Sequence, residues 1–160
     1  MAAKTGQGAP PAAPTLGDLF AEAARLHGAG RTDEAIAIYR RLVASAPRHA
    51  PSWTNLGVLW RIRKRPELAV PCHRRSLDID SAQAGAWSNL GNALKDLERF
   101  DEARLAHARA VELDGDNALY WHNLGVALRE AGDTEEAVRA LDRAIALQPD
   151  HVDAHWDRSL

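Results

Sequence analysis

Apolar residues recur three and four positions apart along most of the chain, which is the spacing of one face of an α-helix. One such stretch runs through Trp87, Leu90 and Leu94, and another runs through Ala103 and Ala110. Short polar segments such as KDLERFDE and EAGDTEE separate stretches of this kind. The pattern therefore predicts pairs of helices joined by short turns, and an all-α fold.

The predicted hairpins repeat with a fixed period. The phrase WTNLG at 53–57 returns as WSNLG at 87–91 and as WHNLG at 121–125, so each copy begins 34 residues after the last. A period of this length is typical of a solenoid of stacked hairpins. With the tryptophan counted as position 4, the period predicts four units at 16–49, 50–83, 84–117 and 118–151, and the start of a fifth unit or a short capping helix at 152–160. The Gly, Pro and Ala content of 1–15 predicts a flexible leader.

Small residues recur at two positions of each unit. Position 8 is Gly57, Gly91 and Gly125 in three units, and position 20 is alanine in all four. Because these residues have almost no side chain, we expect the two helices of a hairpin to approach closely there. The neighbouring tryptophan and leucine would fill the space that remains.

Two features of the second helices lead to local expectations. Asp133 and Glu136 have the spacing of a reciprocal N-cap, in which each side chain would bind the backbone near the other. Pro71 falls past the first turn of its predicted helix, where it removes a backbone donor and crowds the preceding turn. We therefore expect a kink or local widening at Pro71.

Charge and cysteine content narrow the possible partners. The formal net charge of −2 gives no broad positive field of the kind that sequence-independent nucleic-acid binding requires. This charge leads us to expect no nucleic-acid partner. The single cysteine, Cys72, cannot form an internal disulfide, which fits a reducing compartment, and we expect a cytoplasmic protein. No apolar run approaches the roughly 20 residues of a membrane span, so we expect no membrane insertion.

The histidines and the cysteine form no pattern that predicts catalysis or a resident metal. His73 and His107 occupy position 24 of adjacent units without a visible third ligand, so we interpret them as packed between helices. His151 and His155 lack the intervening glutamate of a zinc hydrolase. Cys72 lies inside a predicted helix without a compelling histidine partner. We expect no enzyme activity in these residues, no metal and no cofactor.

The motif W-x-x-L-G, followed by a small residue twelve positions after the glycine, resembles the tetratricopeptide repeat. The resemblance covers 16–160, although Leu19 and Ala23 replace the tryptophan and the glycine in the first copy. It implies a right-handed α-solenoid whose first helices line a concave groove. The segment NLGNALKDLERFDEA of the third unit is particularly similar to repeats of O-linked N-acetylglucosamine transferases.

The resemblance also implies that positions 2, 5, 6, 9, 12 and 13 face the groove. Position 6 is Asn55, Asn89 and Asn123, and the column ends at Ala21 and Asp157. A carboxamide can bind both the N–H and the C=O of a passing peptide backbone. Such a column is similar to the asparagine ladder of the transferase superhelix. In the alternative interpretation, the asparagines only hydrogen-bond along the stack.

The other groove positions supply candidate anchors for a ligand. Position 12 is basic in three consecutive units, which would suit an acidic segment or a C-terminal carboxylate, although an ordinary solvated face has the same pattern. The lysine that begins the carboxylate clamp of chaperone-binding repeats is missing, because position 5 holds other residues. The predicted peptide-binding residues are Asn55, Asn89, Asn123, Asn92, Thr54, Ser88, His122, Arg61, Lys95 and Arg129.

These observations leave three hypotheses for function. The first is a non-catalytic scaffold that binds a protein partner or an extended peptide in the groove. The second is the substrate-recognition region of a larger glycosyltransferase-like enzyme with a catalytic domain beyond residue 160, because bacterial proteins with similar repeats often carry one. The third is a homo-oligomer that assembles through the groove or the terminal repeat faces.

Overall fold

The computed structural model describes residues 13–159 of the chain. This part folds into nine α-helices and contains no strand. The predicted all-α solenoid is confirmed, whereas most of the predicted flexible leader lies outside the described residues. The helices are α1 (Leu16–Gly28), α2 (Thr32–Ser45), α3 (Ala50–Ile62), α4 (Pro66–Ile79), α5 (Ala84–Lys95), α6 (Phe100–Leu113), α7 (Ala118–Glu130), α8 (Thr134–Leu147) and α9 (Val152–Arg158).

Consecutive helices pack as hairpins, and the hairpins stack in chain order. The closest pairs are α1 with α2, α3 with α4, α5 with α6 and α7 with α8, while α9 packs on α8. Each hairpin also contacts the next through its second helix, as α4 contacts α5. The core is therefore a continuous row along the stack. The boundaries of the four units stay predictions, since helices and repeat boundaries need not coincide.

The helix ends follow local rules that are only partly visible in the sequence. A reciprocal cap does occur, but at α1, where Thr15 accepts from the backbone of Asp18 and the Asp18 carboxylate accepts from the backbone of Thr15. The predicted cap at Asp133 is wrong, because its side chain makes no capping hydrogen bond. The helix α4 continues without interruption through Pro71, whose side chain lies at the surface.

The turn inside each hairpin carries one residue in the left-handed backbone region. These residues are Gly30, Lys64, Glu98 and Gly132, with φ values of 72°, 56°, 58° and 93°. They occupy position 15 of the repeat in every unit. The turn geometry therefore repeats although glycine, which adopts this conformation most easily, is present in only two of the four turns.

The recurrent glycine of the first helix lies directly under one side chain of the second helix. A Cβ atom added to Gly57 would lie 2.5 Å from the ring of His73, and one added to Gly91 would lie 2.6 Å from the ring of His107. In the fourth hairpin Leu141 takes the place of the ring. The close approach was predicted, but the side chain that fills it belongs to position 24 rather than to the tryptophan or leucine nearby.

Both of these histidine rings are fully buried, and their nitrogens have no hydrogen-bond partner in the described part of the chain. Burial, and then the charge of Arg61, lowers the pKa of His73 to about 4. Burial, and then the charges of Lys95 and Arg61, lowers the pKa of His107 to about 3. Since an unfolded histidine has a pKa of about 6.5, the unfolded chain binds protons first as the pH falls. Stability is thus unaffected by these rings above about pH 6.5 and decreases below it, toward the folded pKa values.

We expect His107→Leu to reduce this sensitivity to acid, because Leu141 already occupies the equivalent place over Gly125. The measurement is urea unfolding at pH 7.5 and pH 4.5. The difference in unfolding free energy between the two conditions should shrink by about 2–3 kcal/mol, as the lowered pKa requires. The control is His27→Leu, which removes a partly exposed histidine. An undiminished difference in His107→Leu would show that the ring does not cause the acid sensitivity.

Candidate functional site

The first helices of the hairpins form the inner row of the stack. The helix α5 contacts both α3 and α7, whereas the second helices of successive hairpins make no comparable contact with one another in the described part of the chain. Because the inner side of a curved stack is the crowded side, α3, α5 and α7 lie on the concave surface. The candidate ligand-binding residues of positions 5, 6, 9 and 12 come from these three helices.

The three asparagines of position 6 differ in what they bind. The Nδ2 of Asn55 donates to the Tyr39 hydroxyl at 2.8 Å, and the Nδ2 of Asn123 donates to the Ser88 Oγ at 3.2 Å. The side chain of Asn89 makes no hydrogen bond with any described residue, and neither does that of Asn92 one turn later. The amide nitrogens of Asn55 and Asn123 thus donate to other side chains of the protein. The carboxamides of Asn89 and Asn92 on α5 make no hydrogen bond with a described residue and can still donate and accept.

The hydroxyls of position 5 belong to the scaffold as well. The Oγ1 of Thr54 lies 2.7 Å from the Oγ of Ser76, which also lies 3.0 Å from the carbonyl oxygen of Ala50. Ser88 is only 4% exposed and accepts from Asn123. Ser88 is therefore almost inaccessible to a ligand, whereas Thr54 is partly exposed but its hydroxyl is already paired.

The cations of position 12 divide in the same way. The Nε of Arg61 donates to the Asp96 carboxylate at 2.7 Å, and the Nη1 of Arg129 donates to the Asp157 carboxylate at 2.9 Å. Lys95 has no carboxylate within ion-pair distance among the described residues. Only the middle cation of the row is therefore without an acidic partner in the part of the chain that the structure describes.

Asp157 from α9 occupies the part of the groove beside α7. Its carboxylate lies 2.8 Å from the Nε2 of His122, and the Arg129 guanidinium also donates to its backbone oxygen at 3.1 Å. Burial alone would raise the pKa of Asp157, but hydrogen bonds from His122 and Arg129 outweigh it and hold the pKa below its usual value. The sequence placed Asp157 at the end of the asparagine column without indicating that it binds back onto the preceding unit.

Three of the remaining residues that could have carried out chemistry are buried in the core. His73 and His107 are core residues, as predicted. Cys72 is buried, and burial raises the pKa of its thiol to about 11, which keeps it protonated and unreactive at neutral pH. Among residues 13–159, no group of three or more histidine, cysteine, aspartate or glutamate side chains has an arrangement that could hold a metal ion.

A second concave surface lies on the outer side of the stack. This outer cleft, of about 540 Å³, opens between α4 and α6 over the side chains of Trp87, Leu90 and Leu94 on α5. Leu105, which is 61% exposed, stands at its edge. The equivalent of Leu94 in the preceding unit is Trp60, which has a larger side chain.

None of the helices between residues 13 and 159 combines the length and the apolar character that crossing a membrane would require.

Stacked helical hairpins with a polar inner row define a helical repeat protein of the kind that binds other proteins. Two family models, both described as tetratricopeptide repeat, match residues 20–84 and 82–150. The chain therefore belongs to the tetratricopeptide repeat family, whose repeats generally mediate protein interactions. The more specific similarity to the repeats of O-linked N-acetylglucosamine transferases stays a prediction.

Solved structures agree with this assignment of the fold. A crystal structure of MamA is 22% identical over 85% of this chain and 80% of that chain, with a TM-score of 0.81. A MamA fragment from Desulfovibrio magneticus RS-1 is 21% identical over 86% of this chain and 78% of that one, with a TM-score of 0.79. PilF from Pseudomonas aeruginosa is 20% identical over 90% of this chain and 66% of that chain, with a TM-score of 0.80. At these identities the likeness shows the fold alone.

No curated protein sequence gives a significant match to this chain.

We expect Asp157→Ala to release α9 from the stack, because the substitution removes the contacts with His122 and Arg129. Losing a hydrogen bond to a charged group costs about 1.5–3 kcal/mol, so amide hydrogen exchange in α9 should accelerate roughly tenfold or more. Asp150→Ala, at an exposed aspartate just before the same helix, is the control and should leave exchange as it is. Equal exchange in the two variants would show that the Asp157 contacts do not hold α9.

Proposed function

We propose that this protein is a non-catalytic scaffold that binds an extended segment of a protein partner along its concave groove. The observation that carries the proposal is the column of Asn55, Asn89 and Asn123 on three successive inner helices. Even where the amide nitrogen is used, the carboxamide oxygen of each asparagine accepts no hydrogen bond from a described residue. Three acceptors are thus available for the N–H groups of a bound backbone.

The geometry of the stack suits a ligand of this kind. Packed helices lie about 8–10 Å apart, and the first helices alternate with second helices, so successive asparagines are separated by about 10–20 Å. An extended peptide rises about 3.3 Å per residue, which gives one asparagine contact every three to six residues. A segment of about twelve residues would meet all three. The single cysteine of the chain fits a cytoplasmic location for this function.

The test uses peptides selected from a random dodecamer library on the wild-type protein. Their affinities are then measured by fluorescence anisotropy for the wild type and for the triple variant with Asn55, Asn89 and Asn123 replaced by alanine. Three hydrogen bonds at about 0.5–1.5 kcal/mol each predict a loss of tenfold or more. Melting followed by circular dichroism checks that the triple variant is folded.

A matched variant at the outer cleft decides where the peptides bind. Leu105→Asp places a charge at the edge of that cleft and leaves the groove unchanged. We expect it to retain wild-type affinity. Loss of affinity in Leu105→Asp, with no loss in the asparagine variant, would reject the groove and assign binding to the outer cleft.

Self-assembly is a second candidate, favoured by large exposed apolar side chains on α9. Val152 and Trp156 lie four residues apart on α9, on the same side of the helix, and Trp156 is 67% exposed. Large exposed apolar side chains of this kind mark interaction surfaces when they are contiguous. The alternative of a recognition region in a larger glycosyltransferase-like enzyme has no such observation in its favour and stays a prediction.

Light scattering over a dilution series tests self-assembly. We expect the mass to rise with concentration in the wild type and to stay that of a monomer in Trp156→Ser, because the substitution removes the apolar surface. Leu119→Ser, at an exposed leucine of α7, is the control and should behave as the wild type. A wild-type monomer at every concentration would eliminate this candidate.

A further inference from the structure

Three of the predicted groove side chains have no hydrogen-bond or ion-pair partner at all among the described residues, and all three lie on one helix. Asn89, Asn92 and Lys95 follow one another at intervals of three residues on α5, and this spacing keeps them on one side of the helix. All three side chains are partly exposed, and none of them has a hydrogen-bond or ion-pair partner among the described residues. We refer to them as the α5 patch.

The repeat itself shows what a cation at position 12 binds. Arg61 in the second unit holds the carboxylate of Asp96, and Arg129 in the fourth unit holds that of Asp157. Asp96 directly follows α5 and Asp157 lies on α9, so both carboxylates come from the unit that follows the cation. The two internal examples thus place an acidic group on the inner surface, in front of the cation.

Lys95 lacks its internal acid for a specific reason. The residue that corresponds to Asp96 in the next unit is Glu130, and its carboxylate lies 3.6 Å from the guanidinium of Arg129 instead. The residue that corresponds to Asp157 is Asn123, which is neutral and donates to Ser88. Each of the two internal routes to a carboxylate is therefore closed at Lys95.

The positive charge of Lys95 affects the pKa of a neighbouring buried histidine. After burial, it is the next largest influence that lowers the pKa of His107, ahead of Arg61. The buried ring offers no compensating negative charge, and a neutral histidine is all that the core can hold. The middle of the groove thus combines a positive charge with two free carboxamides.

We propose that the α5 patch is the recognition site for an acidic residue of the bound segment. Its carboxylate pairs with Lys95, while Asn89 and Asn92 hold the adjacent backbone N–H and C=O groups. This inference rests on the proposed function and adds the chemistry of the partner, an extended segment carrying aspartate or glutamate. Ion pairing gives the selectivity, and the carboxamides give contacts that do not depend on side chains.

The experiment begins from the dodecamers selected on the wild-type protein. We expect them to be enriched in aspartate and glutamate. In the tightest binder, exchange of the acidic residues for their amides should lower affinity tenfold or more on the wild type and have little effect on Lys95→Gln. Lys95→Glu, which reverses the charge, should bind the acidic dodecamer at least tenfold more weakly than the wild type does.

Two controls separate the site from general charge effects. Arg41→Glu reverses the charge of an exposed arginine of α2 for which no ion pair is found among the described residues, and it should keep the affinity within about twofold. Asn89→Ala with Asn92→Ala should weaken the acidic dodecamer and its amide version equally. Circular dichroism confirms that each variant is folded, and Lys95→Gln replaces Lys95→Glu if the latter is not.

The outcomes distinguish this inference from the proposed function. If the amide version binds as tightly as the acidic dodecamer while the triple asparagine variant still loses affinity, the groove binds peptides but the acidic specificity is wrong. If only Leu105→Asp loses affinity, both are wrong. Failure to select any dodecamer overturns both as well. An equal loss in Arg41→Glu and Lys95→Glu would reduce the effect to net charge and overturn the inference alone.

Discussion

In three of the four hairpins, a glycine at position 8 of the first helix contacts the side chain at position 24 of the second helix, and this contact sets the distance between the two helices. A glycine allows a histidine ring or a leucine to lie directly on the backbone of the neighbouring helix, at a distance that any Cβ atom would prevent. That approach fixes how far apart the two helices lie, and with it the direction in which the polar side of the first helix points. The inner surface is therefore a consequence of the core, because the asparagine two residues before each glycine can only face the side opposite the packed one.

The polar groups of the inner surface serve two purposes, and the structure separates them. Most of them tie one unit to the next, through Asn123 and Ser88, Arg61 and Asp96, or Arg129 and Asp157. Such contacts add specific polar links to the apolar packing between neighbouring hairpins. The groups left over on α5 are those for which the repeat supplies no internal partner. The proposed binding site therefore lies at the unit whose cation, Lys95, is not paired with a carboxylate of the following unit among the described residues.

The repeat period explains why so much of the fold could be predicted. Tryptophan, leucine, glycine and alanine recur at fixed positions, and each recurrence states the same packing requirement again, so the helices and their pairing follow from the spacing. The partner of the glycine was missed, because position 24 holds tyrosine, histidine, histidine and leucine, which share size rather than chemistry. The left-handed residue of the turns was missed for a similar reason. Glycine at position 15 indicates this conformation in two of the turns, but Lys64 and Glu98 occupy the same position in the other two. The candidate site was predicted as a uniform column, but hydrogen bonds between units depend on pairs of residues in space, and no single position of the repeat reports them.

The docking of Asp157 has a consequence for how a ligand could be placed. Its carboxylate already occupies Arg129 and His122, so an acidic side chain arriving at that end would first have to outcompete a group that is covalently attached and therefore always present at high local concentration. A ligand carboxylate must therefore bind Arg129 and His122 more strongly than Asp157 does before it can replace it. Acidic segments that reach Lys95 meet no rival, whereas those that extend further toward α9 exchange one ion pair for another and gain little. In the proposed mode of binding, an acidic group of the ligand would therefore pair with Lys95 rather than with Arg129, which already pairs with Asp157.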